Sequence, residues 1–149
     1  MNPLRFVSFN TKAMKAYETI CQPVCRKFGL NQTCFDVIMF LANNPEFNTA
    51  KDLWEIRGIR SGNASVAIEA LVKRNLLKRQ SDPDDRRIQR LILTEETGSI
   101  IEEGRIVQRK FEEQATKGLS EEERKVYRSI SEKIQKNIIE ITQKRGEKL

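Results

Sequence analysis

The residues best suited to chemistry lie in the run Asp82-Pro83-Asp84-Asp85-Arg86-Arg87. Free carboxylates would repel phosphate, whereas Arg binds phosphate oxygens and base edges through a planar fork of N–H donors. An Asp85–Arg87 pair would stiffen the run and leave Arg86 free to extend. Because Arg in a narrow minor groove reads groove shape and A·T content, the run predicts contact with duplex nucleic acid.

The cysteines are a second candidate site. Cys21 and Cys25 lie one helical turn apart, and Cys34 begins the next predicted helix. Only a low-pKa thiol reacts readily with oxidants, and Arg26-Lys27 beside Cys25 would favour one. Free cysteines also serve as small core residues, and Cys34 falls on a predicted buried stripe. An odd number of cysteines without a secretion signal argues against a disulfide framework.

Histidine is absent from the chain. This removes the commonest transition-metal ligand and the commonest general base, so we expect no metal site, no cofactor and no enzymatic activity. No apolar run approaches the roughly 18 residues that a membrane span needs, so no membrane association is expected. The opening MNPLRFVSFN lacks a signal-peptide core, which predicts a cytoplasmic location.

Two short helices and a hairpin are predicted around the Asp-Arg run. Thr49 and Asp52 form a capping box for a helix that Gly58 ends. A second helix follows, because apolar residues recur at the three-and-four spacing of one buried face: Ala64, Ala67, Ile68, Leu71 and Val72. LLKRQ and IQRLILT then flank the run as the strands of a β-hairpin. A helix-turn-helix with a basic-tipped hairpin is a winged helix.

The preceding segment predicts two helices. Residues from about Asn10 to Phe28 carry apolar positions at helical spacing, and Pro23 should kink or break this helix. Gly29 ends it. Asn31 caps the next helix, whose buried stripe is Cys34, Ile38, Leu41 and Ala42.

Two longer helices are predicted at the C-terminal end. Thr94 caps one that runs to about Thr116, and a capping box of Ser120 and Glu123 begins another that runs to about Lys144. The last helix carries a long apolar stripe: Val126, Ile130, Ile134, Ile138 and Ile141. A single winged domain needs little of this stripe for its core, so we expect a partner to cover it. An intramolecular helical hairpin is the alternative.

The chain resembles the multiple-antibiotic-resistance regulator (MarR) family. The resemblance is carried by Leu71, Leu76-Leu77-x-Arg79, the Asp82–Arg87 run and Leu91-x-Leu93-Thr94, and nearly the whole chain fits that layout, including Leu119–Glu123. It implies one mainly α domain over residues 1–149, with a small β-hairpin wing. Residues 31–94 would form the winged helix-turn-helix, and residues 1–30 and 95–149 would be the dimerisation helices of a homodimer.

Charge is distributed unevenly along the chain. The net charge is +6, with an excess of +2 in residues 1–48, +4 in residues 49–94 and none in residues 95–149. The largest positive excess therefore coincides with the winged segment, which favours nucleic-acid binding. The neutral C-terminal segment is compatible with two copies meeting there.

The candidate DNA contacts lie opposite the buried face of the second short helix and in the wing. They are Ser61, Gly62, Asn63, Ser65, Val66, Glu69 and Lys73 on the helix, with Asp85, Arg86 and Arg87 in the wing. Asn63 can pair with adenine, Glu69 can accept from cytosine and Val66 can touch a thymine methyl. The family often places Arg or Lys on this face, so direct guanine reading is not expected here.

These observations predict a homodimeric transcriptional regulator that binds a pseudo-palindromic operator in double-stranded DNA as a repressor released by a small molecule. Seven aromatic residues could line the ligand cleft that family members form: Phe9, Tyr17, Phe28, Phe35, Phe40, Phe47 and Trp54. No ligand is identified. One alternative is a thiol-based oxidant sensor that uses Cys21, Cys25 or Cys34. Another is a winged-helix module that binds protein and not DNA.

Overall fold

The structure, a computed structural model, describes residues 3–146. The helices are α1 (Pro3–Phe28), α2 (Gln32–Asn43), α3 (Ala50–Glu55), α4 (Ser61–Lys73), α5 (Gly98–Ala115) and α6 (Glu121–Gly146). Strands β1 (Leu77–Ser81) and β2 (Gln89–Leu93) form one antiparallel hairpin, in which Leu77 faces Leu93 and Ser81 faces Gln89. The predicted fold class, mainly α with one β-hairpin, is confirmed.

The core is built around α2. Its residues from Cys34 to Leu41 are all buried, because α1, α4, α5 and β2 pack against it. A Cβ at Gly104 of α5 would overlap the Met39 side chain, so glycine permits the close approach of α5 to α2. Leu53 of α3 and Leu71 of α4 are fully buried and join the helix-turn-helix to this core.

The helix-turn-helix forms as predicted. The Thr49 hydroxyl accepts from the Asp52 N–H at 3.2 Å, and the Asp52 carboxylate accepts from the Thr49 N–H at 3.0 Å. This capping box starts α3, and Gly58, whose φ is +80°, turns the chain toward α4. The predicted N-cap at Asn31 is also confirmed, since its side chain accepts from the Cys34 N–H at 2.8 Å.

Of the two outcomes predicted at Pro23, a kink or a break, helix α1 excludes the break. The helix starts at Pro3, earlier than the predicted Asn10, and continues through Pro23 to Phe28. Proline costs one intrahelical hydrogen bond, but Pro23 lies on the exposed side. Burial of Cys21, Val24 and Cys25 on both sides of it holds the helix against the core.

Thr94 does not cap a helix with its side chain, which corrects a second prediction. Its hydroxyl donates to the Asn75 carbonyl at 2.7 Å, and a 3₁₀ turn, Glu95–Thr97, separates it from α5. Asn75 follows α4 in a left-handed conformation, with a φ of 57°. Thr94 therefore closes the base of the hairpin onto the end of α4.

Helix α6 begins at the predicted capping box but adds little to the core. The Ser120 N–H donates to Glu123 at 2.7 Å, and the Glu123 N–H donates to the Ser120 hydroxyl at 3.2 Å. None of the α6 side chains that the structure describes is buried, and Ile141 is 66% exposed. Within residues 3–146, no helix is both long and apolar enough to cross a membrane.

Candidate nucleic-acid interface

Helix α4 separates its core residues from the predicted contact residues. Ala64, Ala67, Ile68 and Leu71 are buried, which fixes the rotation of the helix about its axis. All seven predicted contacts on α4 are exposed: Ser61, Gly62, Asn63, Ser65, Val66, Glu69 and Lys73. Val66 is 70% exposed although it is apolar. An exposed Val amid small polar residues can approach a thymine methyl without a steric barrier.

Glu69 is not a free acceptor. Its carboxylate accepts from the Arg79 guanidinium of β1 at 3.0 Å, and both side chains are largely exposed. An exposed pair of this kind is worth little in stability and opens readily. Reading of cytosine by Glu69 therefore requires this pair to open, and Arg79 brings a cation beside α4 that the sequence prediction did not include.

The tip of the wing has the geometry that the sequence predicts. Arg87 donates through Nε and Nη2 to the two oxygens of Asp85, each at 3.0 Å. This pairing, together with the Arg87 backbone N–H, lowers the pKa of Asp85, and Asp85 raises the pKa of Arg87. Arg86 is exposed and, among residues 3–146, has neither an ion pair nor a side-chain hydrogen bond. One cation at the tip is thus held by Asp85, and the other extends freely.

The base of the wing contains an ion pair that the sequence reasoning missed. One Asp82 oxygen accepts from the backbone N–H groups of Asp84 and Asp85, at 2.9 and 3.1 Å, and the other accepts from Arg90 Nε at 2.9 Å. The backbone N–H of Asp84 and the Arg90 side chain hold the pKa of Asp82 below its usual value. Arg90 also donates to the Asn48 side chain at 3.1 Å. Asn48 is remote in sequence, so no local signal pointed to it.

A second missed pair lies behind the turn between α3 and α4. Arg57 Nη2 forms an ion pair with Asp36 of α2 at 3.2 Å, and the Gln32 amide donates to the same carboxylate group at 3.0 Å. Burial raises the pKa of Asp36, and Arg57 opposes that rise. The pair connects the turn before α4 to the core helix.

The three cysteines are buried. The relative exposures of Cys21, Cys25 and Cys34 are 0%, 7% and 4%. Burial raises the pKa of all three thiols, that of Cys25 to about 11. Raised pKa values leave little thiolate at neutral pH, and the surface needed for access by an oxidant is small. This environment is that of core cysteines.

An apolar cleft of about 760 Å³ lies between the start of α1, α3 and α6. Phe9 and Trp54, two of the aromatic residues considered for a ligand cleft, line it together with Tyr127. Phe35 and Phe40 lie in the core instead. Arg60, the residue before α4, also borders the cleft, so the cleft reaches the start of the helix that carries the candidate DNA contacts. In the described part of the chain, no cluster of acidic or cysteine side chains could hold a metal ion.

Comparison with protein families gives a match to the MarR family model over residues 28–88. The matched segment runs from the end of α1 through α2, α3, α4 and β1 to the end of the wing tip. No curated protein sequence gives a significant match.

Solved structures with the same fold cover nearly the whole chain. A MarR-family transcriptional regulator from Listeria monocytogenes, in complex with a 26-mer DNA, is 19% identical and covers 98% of this chain and 96% of its own, with a TM-score of 0.79. A MarR protein from Peptoclostridium difficile is 21% identical over 97% of this chain and 92% of its own (TM-score 0.78). BpsR from Bordetella bronchiseptica, whose DNA binding is regulated by 6-hydroxynicotinic acid, is 22% identical over 87% and 98% (TM-score 0.68).

Proposed function

We propose that the chain is a member of the MarR family and that it regulates transcription as a homodimer bound to a pseudo-palindromic operator in duplex DNA. The observation that carries this proposal is that the winged helix-turn-helix presents both an exposed face of α4 and an exposed Arg86, which has no ion-pair partner among the described residues. A helix of this size fits the major groove, and an Arg on a wing reaches the adjacent minor groove. The solved relative with bound DNA supports the assignment.

All of the predicted contacts except Glu69, which Arg79 holds in an ion pair, have a role in this proposal. Asn63 and Val66 read base edges from α4, with Ser61, Gly62, Ser65 and Lys73 at the groove wall. Arg86 enters the minor groove, and the Asp85–Arg87 pair stiffens the tip that carries it. Reading thus combines apolar and amide contacts in one groove with shape recognition in the other.

The homodimer is supported by the apolar surface that one copy leaves uncovered. Ile130, Ile134 and Ile138 of α6 line the cleft, and Val126 and Ile141 extend the same stripe beyond it. We assign residues 1–30 and 95–149 to dimerisation and residues 31–94 to DNA binding. The second copy would cover the stripe and close the open side of the cleft, and the neutral charge of residues 95–149 allows two copies to meet without repulsion.

A small-molecule effector is the regulatory part of the proposal. The cleft joins α3, α6 and Arg60, so a ligand there would contact both the dimerisation helices and the residue before α4. BpsR provides the precedent, since 6-hydroxynicotinic acid regulates its DNA binding. We propose a repressor whose operator affinity falls when the cleft is occupied.

Selection of bound fragments from a library of random duplexes tests the proposal. A two-fold dimer presents two α4 helices about one duplex turn apart, roughly 34–36 Å. The enriched fragments should therefore share an inverted repeat with half-sites about 10 bp apart. Absence of enrichment, together with affinity that does not fall with salt, would favour a protein-binding module. A single asymmetric site would contradict the dimer.

A further inference from the structure

A side-chain network ties the wing loop to the start of α3, apart from the exposed Arg79–Glu69 pair between β1 and α4. The Arg90 guanidinium donates from Nε to Asp82 at 2.9 Å and from Nη1 to Asn48 at 3.1 Å. Asp82 in turn accepts from the two backbone N–H groups that follow it in the wing loop. Asn48 directly precedes the Thr49 cap of α3, and its carbonyl accepts from the Leu91 N–H at 2.7 Å. Arg90 thus links the wing loop to the start of α3.

A two-stranded hairpin needs such a link. Isolated hairpins of two strands are marginally stable, and Lys78 to Ser81 of β1 are exposed. The outer half of the wing therefore gains little orientation from apolar packing. The fork of Arg90 supplies two directed, charge-assisted contacts at the point where the strands leave the core.

We propose that Arg90 is a positioning residue which, with Asn48 and Asp82, sets the angle of the wing so that Arg86 and α4 meet adjacent grooves together. The inference rests on the proposed DNA-binding function. Arg90 acts through Arg86 in this account and does not contact DNA. Its guanidinium is already engaged by two acceptors, and its side chain is only 34% exposed.

The competing explanation is that Arg90 contacts a phosphate directly. The variant Arg90→Lys separates the two, because Lys keeps the positive charge but cannot present the planar fork that reaches Asp82 and Asn48 together. Asn48→Ala removes one acceptor with no change of charge. Gln89→Ala is the matched control, since it breaks a hairpin bond to Ser81 of 3.0 Å that does not reach α3.

The experiment is a double-mutant cycle on the full-length protein and its selected operator duplex. Operator affinity is measured for Arg86→Ala and Arg90→Lys, alone and combined, and thermal unfolding is measured for each. We expect Arg86→Ala and Arg90→Lys each to weaken binding on the order of tenfold, with Asn48→Ala in the same direction and Gln89→Ala unchanged. Adding Arg86→Ala to Arg90→Lys should then lower operator affinity by less than about threefold, because an Arg86 that is already misplaced contributes little to binding.

Three results would overturn the inference while leaving the proposed function standing. One is unchanged affinity for Arg90→Lys and Asn48→Ala in a protein where Arg86→Ala weakens binding. A second is additivity within about twofold, which would make the two Arg side chains independent contacts. A fall in the unfolding midpoint that parallels the loss of affinity would also overturn it, because the role would then be general stability. Failure of the proposed function would look different, since the wild-type protein itself would lack salt-dependent affinity for DNA.

Discussion

The winged module and helix α6 differ in how much of their apolar surface one chain can bury. In the module, Leu53 and Leu71 are fully buried and the hairpin is tied to α3 by Arg90. In α6, Val126, Ile130, Ile138 and Ile141 are between 43% and 66% exposed. The apolar surface of the module is thus covered within one chain, whereas that of α6 is not. We therefore propose that the module recognises DNA and that α6 forms the dimer interface.

Of the variants considered, those that place charge on the apolar stripe of α6 should have the largest effect, and the effect should be on dimerisation. Ile134→Glu/Ile138→Glu would bury two carboxylates in an apolar interface, so we expect the dimer dissociation constant to rise by at least about a hundredfold. Sedimentation velocity over a concentration series measures this. Ser129→Glu/Lys136→Gln changes the charge by the same amount on the opposite face of α6 and should leave the dimer intact. A folded dimer for both variants would show that the stripe is not the interface.

Truncating a core residue of the module should act on stability and not on assembly. Leu71→Ala should lower the free energy of unfolding by about 2–5 kcal/mol, because it removes a buried side chain and leaves a cavity. Val66 lies on the same helix but is exposed, so Val66→Ala should change the free energy of unfolding by less than about 0.5 kcal/mol. Urea unfolding of both variants at one protein concentration tests this. Equal losses would mean that α4 is rotated from the position described.

Removing a base contact should affect one class of DNA only. Asn63→Ala loses a base-edge hydrogen bond, so operator affinity should fall by roughly 1–3 kcal/mol while affinity for a scrambled duplex stays nearly constant. Fluorescence anisotropy with the two duplexes separates these outcomes. An equal loss on both would make Asn63 a backbone contact.

The cysteines should show the smallest effect. Their raised pKa values mean that the thiolate fraction grows only as pH rises well above neutrality, to about pH 11 for Cys25. At pH 7, mild peroxide should therefore leave operator affinity unchanged in the wild-type protein and in a triple Cys→Ser variant. Alkylation should be slow at pH 7 and accelerate as pH rises. Loss of binding in peroxide that the triple variant resists would establish the oxidant-sensor alternative.

Local sequence signals predicted those parts of the molecule that short-range physics determines. The confirmed features each join residues that are close in sequence. They are the two capping boxes, the cap at Asn31, the hairpin and the Asp85–Arg87 pair. The break at Pro23 and the side-chain cap at Thr94 were wrong predictions, because tertiary contacts determine both. Packing of Cys21 and Val24 keeps α1 continuous, and the Asn75 carbonyl takes the Thr94 hydroxyl.

The missed residues of the candidate interface share a long separation in sequence. Arg90 meets Asn48 and Arg57 meets Asp36 only because α2, α3 and the hairpin converge in the fold. Composition indicated that residues 49–94 are basic, but it did not show which Arg side chains form ion pairs with carboxylates and which remain available to bind DNA. Arg90 and Arg57 belong to the first kind, and Arg86 belongs to the second.

The salt dependence of DNA binding shows whether the wing contacts DNA. Operator and scrambled-duplex affinities of the wild-type protein and Arg86→Ala are measured across a salt series. We expect Arg86→Ala to weaken binding to both duplexes and to make the plot of log affinity against log salt shallower by about one unit per wing. The reason is that each Arg–phosphate contact that is lost means about one counterion fewer released from the DNA on binding. Unchanged affinities and an unchanged slope would mean that the wing does not touch DNA, and the account of the winged module would be wrong.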